Sequence, residues 1–106
     1  MVARGDIWLV SLDPTIGHEI RKTRPAVVVS PNELNESLGT VIIVPMTSSA
    51  FPARYRVPIV FQGRRGLVAT DQLRTVDNRR LLQRLGRVPG KLLRQTLGTL
   101  QEMFAE

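Results

Sequence analysis

Short apolar runs separated by turn-forming residues predict a chain made mostly of β-strands. Each run is rich in β-branched or aromatic residues, and Asp13-Pro14-Thr15 closes the first of them. The predicted strands are residues 7–12, 26–30, 41–45, 56–61, 67–69 and 73–76. Between the fourth and fifth, residues 63–66 predict a hairpin tip that carries the two positive charges of Arg64 and Arg65.

After Pro89 the apolar positions repeat with a helical period. They are separated by four, three and four residues, which places them on one face of a helix that begins at Pro89. These positions are Leu93, Leu97, Leu100 and Phe104. Residues 31–38 permit one further helical turn. Several strands and one terminal helix predict a mainly β fold, a small bent sheet or open barrel with the helix packed against it.

Length and composition favour one folded unit with an anionic partner. The 106 residues fit a single domain over 1–106, and 42% hydrophobic residues suffice for a core. Fifteen Lys and Arg against nine Asp and Glu give a net charge of +6. Residues 37–101 hold eleven bases and two acids, a net +9 that favours a polyanionic partner such as nucleic acid, although a solvated basic face is the alternative.

The same counts exclude several chemistries. With no cysteine and one histidine, the chain has no disulfide framework, no thiolate nucleophile and no His/Cys zinc site, so we expect no metal and no cofactor. The N-terminal sequence MVARGDIWLV contains an acidic residue and no long apolar run. It predicts neither a signal peptide nor a membrane span, and we expect a cytoplasmic protein.

The long segment 13–25 between the first two predicted strands is a candidate functional loop. It holds His18, whose ordinary pKa of about 6.5 suits proton transfer, although a lone histidine is often structural. Arg24 precedes Pro25, which restricts Arg24 to extended geometry and makes it a candidate phosphate clamp. An ordinary solvated arginine at the start of a strand is the alternative.

Two later stretches also hold candidate residues. Asp71 interrupts an apolar strand pattern, and such a carboxylate either pairs with an arginine, as Arg74 could, or acts as a general base. Residues 46–52 combine hydroxyl groups with Phe51, an aromatic side chain that could stack an unpaired base beside nearby arginines. A plain Ser/Thr-rich turn explains the same residues equally well.

Five blocks in order along the chain resemble the MazF/PemK family of toxin endoribonucleases, and especially its PemK/Kid branch. The blocks are RGDIWLV (4–10), LDPTIGHE (12–19), TRP (23–25), VPMTS (44–48) and DQLRTVD (71–77). The resemblance implies an SH3-like open barrel, a homodimer and a cognate MazE/PemI-like antitoxin. It also implies sequence-specific, metal-independent cleavage of single-stranded mRNA through attack of the ribose 2′-hydroxyl, leaving 2′,3′-cyclic phosphate and 5′-hydroxyl ends and inhibiting growth.

The resemblance also implies residue roles. Arg24 and Thr47 match residues implicated at the scissile phosphate, and His18 and Asp71 match a proposed helper and general base. The expected RNA-binding residues are Glu19, Ser48, Phe51, Arg54, Arg56, Arg64, Arg65 and Gln72. Ala69 departs from the branch, which has an arginine two positions before the aspartate.

Two other functions fit parts of the sequence. CcdB-like toxins, which share the implied fold, bind gyrase through a Trp-Gly-Ile tail, whereas this chain ends Met-Phe-Ala-Glu. A basic RNA-binding module without catalysis is the other alternative; the co-occurrence of Arg24, Thr47, His18 and Asp71 argues against it, while the alanine at position 69 leaves room for weak activity.

Overall fold

A computed structural model describes residues 1–48 and 53–106 of the chain. Seven β-strands and two α-helices lie in this part of the chain. The strands are β1 (Asp6–Ser11), β2 (Thr23–Val28), β3 (Thr40–Thr47), β4 (Arg56–Phe61), β5 (Arg64–Ala69), β6 (Arg74–Asp77) and β7 (Leu81–Arg87); the helices are α1 (Asn32–Ser37) and α2 (Gly90–Phe104). The predicted mainly β fold with a C-terminal helix is confirmed.

The strands form one antiparallel sheet that does not close on itself. Its order is β4-β5-β3-β2-β1-β7, and β6 also pairs with β3. Along one edge of β3, β6 pairs with the first half of the strand and β5 with its end, at Met46 and Thr47. A 3-10 turn, Thr70–Gln72, connects β5 to β6 at the break between these two pairings. The open, barrel-like sheet agrees with the expected architecture.

The central strands β2 and β3 are buried on both faces. Ile42, Val44 and Met46 of β3 belong to one hydrophobic cluster, while Val41 and Ile43 point into a second cluster on the other face. Burial on both sides explains why these strands are continuous apolar runs in the sequence. Helix α2 covers the first cluster with three leucines of the predicted stripe, namely Leu93, Leu97 and Leu100.

Several details of the sequence prediction are wrong. The β4–β5 hairpin turns at Gln62 and Gly63, which both have positive φ, because Phe61 pairs directly with Arg64. Arg64 and Arg65 are therefore the first residues of β5 and not a hairpin tip. Strand β7 was not predicted, since its half-exposed edge position leaves it without an apolar run. Phe104 ends the helical stripe with 69% of its surface exposed.

Within residues 1–48 and 53–106, no helix has both the length and the apolar character needed to cross a membrane.

Candidate active site

The turn between β5 and β6 is fixed to β4 by two successive residues. The buried hydroxyl of Thr70 donates a hydrogen bond to the carbonyl of Tyr55. The carboxylate of Asp71 accepts from Arg56 through a two-point fork, with Nε to Oδ1 at 2.9 Å and Nη2 to Oδ2 at 3.0 Å. The hydrogen bonds that Arg56 donates to this carboxylate raise the pKa of Arg56. Among the described residues, Asp71 pairs with Arg56 and not with Arg74, which corrects the pairing considered above.

Gln72 connects this turn to the loop that carries His18. Its Oε1 accepts from the backbone N–H of Ile20 at 3.0 Å, and its Nε2 donates to the His18 carbonyl at 3.0 Å. These bonds join residues more than fifty positions apart in sequence. Gln72 is also among the residues expected to contact RNA. Both ends of its amide bind the loop, so it sets where the backbone of His18 lies.

The start of the same loop is held by two arginines that follow the turn. Arg74 donates to the Leu12 carbonyl at 3.1 Å, and Arg80 donates to the carbonyls of Ser11 and Asp13 at 3.0 and 2.6 Å. Sequence reasoning considered Arg74 only as a partner of Asp71 and gave Arg80 no role, because a guanidinium that binds distant backbone carbonyls leaves no local motif. The loop is thus attached to the sheet at both its first residues and its centre.

Glu19 stabilises a turn within the loop. Its Oε1 accepts from the Ile16 N–H at 2.6 Å, and its own N–H donates to the Ile16 carbonyl at 3.1 Å. The imidazole of His18 lies between these anchored residues and is exposed. The loop therefore presents His18 from a backbone that local hydrogen bonds hold on either side.

A first groove, here called the His18 groove, forms beside the turn. Both Asp71 and Gln72 line it together with His18 and Glu19 from the loop. Pro45 of β3 also lines the groove, at the level where β3 passes from β6 to β5. An imidazole and a carboxylate share this groove, a combination suited to general acid–base chemistry.

A second groove, here called the Arg24 groove, begins at the next residues of β3. It is lined by Arg24, Thr47, Ser48, Arg64 and Arg65, among others. Gly66 of β5 allows β3 and β5 to approach closely beside this groove, since a Cβ at position 66 would lie 2.7 Å from the Thr47 carbonyl oxygen. Hydroxyl groups and several guanidiniums on one concave surface suit phosphate binding.

The four expected catalytic residues therefore fall into two pairs. His18 and Asp71 share one groove, whereas Arg24 and Thr47 share the other. Both grooves border β3: Pro45 lines the first and Met46 the second, although consecutive residues of a strand point to opposite faces of the sheet.

The other expected RNA-binding residues are divided between the grooves and the remaining surface. Ser48, Arg64 and Arg65 line the Arg24 groove. Arg54 pairs with Glu102 of α2 at 2.8 Å, in an exposed ion pair outside both grooves. Phe51 lies outside the described residues.

Most of the basic charge of residues 37–101 is used within the protein. Asp6, 2% exposed, pairs with Arg84 and Arg87 of β7, and Asp77 pairs with Arg79. The remaining bases make no hydrogen bond or ion pair with another residue in the part of the chain that the structure describes. They are Arg64, Arg65, Lys91 and Arg94. Two of these four, Arg64 and Arg65, line the Arg24 groove, where Arg24 supplies a third guanidinium.

Comparison with known proteins identifies relatives along nearly the whole chain. Residues 3–104 match the family model described as PemK-like, MazF-like toxin of type II toxin-antitoxin system. Endoribonuclease PemK of Escherichia coli is 44% identical, over 95% of this chain and 80% of its own length. Endoribonuclease MazF9 of Mycobacterium tuberculosis is 34% identical, over 90% of this chain and 89% of its own.

Solved structures agree with these sequence relatives. The crystal structure of MazF (Form-I) from Deinococcus radiodurans superposes with a TM-score of 0.82 at 32% identity, covering 95% of this chain and 93% of that one. A MazE-MazF structure (Form-II) from the same organism gives a TM-score of 0.80 at 25% identity, covering 98% and 95%. The chain therefore belongs to the family of PemK-like, MazF-like toxins of type II toxin-antitoxin systems.

Proposed function

We propose that this protein is the toxin of a type II toxin-antitoxin system and acts in the cytoplasm as an endoribonuclease on single-stranded mRNA, inhibiting growth. Similar proteins carry the names endoribonuclease PemK and endoribonuclease MazF9. The observation that carries the proposal is that the four expected catalytic residues all line grooves that border β3. One offers acid–base groups and the other offers cations and hydroxyls for the phosphate.

The proposed reaction is an internal transfer at one phosphodiester. The ribose 2′-oxygen attacks the phosphorus while its proton passes to Asp71, and the bond from phosphorus to the 5′-oxygen breaks. His18, in its protonated form, donates a proton to the departing 5′-oxygen. A carboxylate has about four lone-pair sites. The Arg56 fork therefore leaves Asp71 able to accept this proton.

The Arg24 groove would stabilise the charge that develops during this transfer. The Arg24 guanidinium makes one long hydrogen bond within the protein, from Nε to the Arg21 carbonyl at 3.4 Å. A cation that faces the phosphorane interacts more strongly as negative charge accumulates on its oxygens. Thr47 would donate to a non-bridging oxygen, and Ser48, Arg64 and Arg65 would hold neighbouring phosphates.

Neither a metal nor a cofactor enters this proposal. The chain has one histidine and no cysteine, and no group of three His, Asp or Glu residues lies together among the described residues. General acid–base catalysis and electrostatic stabilisation supply the chemistry instead.

A homodimer and a cognate antitoxin complete the proposed system. One similar structure is an endoribonuclease in complex with its cognate antitoxin from Mycobacterial species, and others are MazE-MazF complexes from Deinococcus radiodurans. An antitoxin segment that carries acidic side chains would match the unpaired arginines of the Arg24 groove.

Incubation of the purified protein with a long, mixed-sequence single-stranded RNA in excess EDTA tests the proposal. Cuts at one short sequence, with 2′,3′-cyclic phosphate and 5′-hydroxyl ends, are expected. Folded, antitoxin-free protein that binds the RNA without cutting it would instead support the non-catalytic RNA-binding alternative.

A further inference from the structure

Asp71 owes its orientation to a residue on the neighbouring strand. The fork from Arg56 engages both carboxylate oxygens at 2.9 and 3.0 Å, and such a two-point contact fixes the plane of the carboxylate as well as its position. Asp71 lines the His18 groove, whereas Arg56 does not. The guanidinium therefore lies behind the carboxylate, on the side away from the groove.

Strand register explains how Arg56 reaches Asp71. Arg56 pairs with Ala69 across the β4–β5 ladder, so their side chains leave the sheet on the same face. Ala69 is fully buried, and its single methyl group leaves room for the arginine stem to cross β5 toward the turn. A larger side chain at position 69 would compete for the same space.

No other cation in the described residues lies within ion-pair distance of Asp71. Arg74, three positions later, uses its guanidinium on the Leu12 carbonyl. The side chain of Arg56 is 22% exposed and that of Asp71 is 40% exposed, so the more shielded partner of the pair is the arginine. This arrangement suits an arginine that orients Asp71 and not one that binds an RNA phosphate.

We infer that Arg56 is a positioning residue for RNA cleavage, holding the Asp71 carboxylate toward the His18 groove without contacting the RNA itself. The inference rests on the proposed function, because it concerns the same reaction. It reassigns Arg56, which the sequence placed among the RNA-binding residues. A positioning residue changes the rate of the chemical step and leaves substrate affinity nearly unchanged.

Steady-state cleavage of an oligonucleotide containing the mapped cut site tests the inference. Arg56→Ala is expected to lower kcat by about 10- to 100-fold with KM within about twofold, because a small displacement of a catalytic group is costly. Arg56→Lys keeps the charge without the fork, so an intermediate loss is expected. Arg79→Ala is the matched control, since it breaks another Arg–Asp ion pair outside both grooves.

A double-variant comparison shows whether Arg56 acts through Asp71. The Arg56→Ala/Asp71→Asn protein is expected to be no slower than Asp71→Asn alone. Asp71→Asn already removes the carboxylate that Arg56 orients, so the loss of Arg56 has no further effect. Losses that multiply would overturn the inference. So would a raised KM with unchanged kcat in Arg56→Ala, which would mean that Arg56 contacts RNA.

The two proposals fail in different ways. If wild-type protein does not cut RNA, the proposed function is wrong and the inference falls with it. If wild-type protein cuts RNA and folded Arg56→Ala cuts it with unchanged kcat and KM, only the inference is wrong. If Arg56→Ala does not fold, kcat and KM of Arg56→Lys and Arg56→Gln are compared with those of wild-type protein instead.

Discussion

Gln72 connects the turn that carries Asp71 to the loop that carries His18, and replacing it should release this loop. In Gln72→Ala the Ile20 N–H loses its acceptor and the His18 carbonyl loses its donor, both at 3.0 Å in the native protein. Each hydrogen bond contributes about 1 kcal/mol net. Because part of this surface is open to water, we take about 1–2 kcal/mol for the pair, equivalent to about a 5- to 30-fold increase in loop opening.

Amide hydrogen exchange followed by NMR measures this opening at the residue concerned. Exchange at the Ile20 N–H should accelerate about 5- to 30-fold in Gln72→Ala, while the core amide of Val27 keeps its protection. Gln83→Ala, on the exposed part of β7, is the matched control. Unchanged exchange at Ile20 would refute the anchoring role of Gln72, whatever happened to cleavage.

Three further outcomes follow from the structure. Arg64→Ala/Arg65→Ala should reduce the slope of log affinity for single-stranded RNA against log salt by about 1.4, whereas Lys91→Ala/Arg94→Ala, outside both grooves, should leave it nearly unchanged; equal effects in a binding titration would contradict the location of the RNA path. Gly66→Ala should lower the free energy of unfolding by about 1–3 kcal/mol in urea titrations, because its Cβ would lie 2.7 Å from the Thr47 carbonyl oxygen. Gly98→Ala, which meets open space in α2, should not destabilise the protein, and a loss there would show that packing is not the cause. Adding Ala69→Arg to Arg56→Ala should restore much of the lost kcat, since the two positions face each other across the ladder; Ala69→Arg alone should destabilise the fold by crowding two guanidiniums.

Much of the fold could be predicted because buried positions appear in the sequence as apolar residues at regular spacing. The inner parts of β2 and β3, residues 26–28 and 41–46, are apolar because both of their faces are covered, and α2 repeats leucine at helical spacing because one face packs on the core. Strand β7 shows no such pattern of apolar residues. It pairs with β1 through its backbone, and its arginines neutralise the buried Asp6, so its stabilising contacts do not require apolar residues.

The sequence indicated which residue types line the candidate site, but it did not predict which side chains hold them in place. His18, Arg24, Thr47 and Asp71 all line grooves, yet the partner of Asp71 comes from a strand 15 positions earlier in the sequence. Register decides such contacts, and register depends on a two-residue hairpin whose position was predicted wrongly.

Charge in the sequence likewise overstated the charge available to RNA. Residues 37–101 carry a net +9, but several of their arginines hold backbone carbonyls or carboxylates. Which arginines remain unpaired depends on tertiary contacts and cannot be counted from composition.

The proposed attack of the 2′-hydroxyl is tested most directly by removing that one oxygen. An RNA oligonucleotide with a single 2′-deoxy nucleotide immediately 5′ of the mapped scissile phosphate should bind wild-type protein with nearly unchanged affinity and should not be cut in EDTA. The all-ribose oligonucleotide should be cut in the same reaction mixture. Cleavage of the 2′-deoxy substrate at the same phosphate would show that another nucleophile attacks, and would contradict the proposed transfer of the 2′-hydroxyl proton to Asp71.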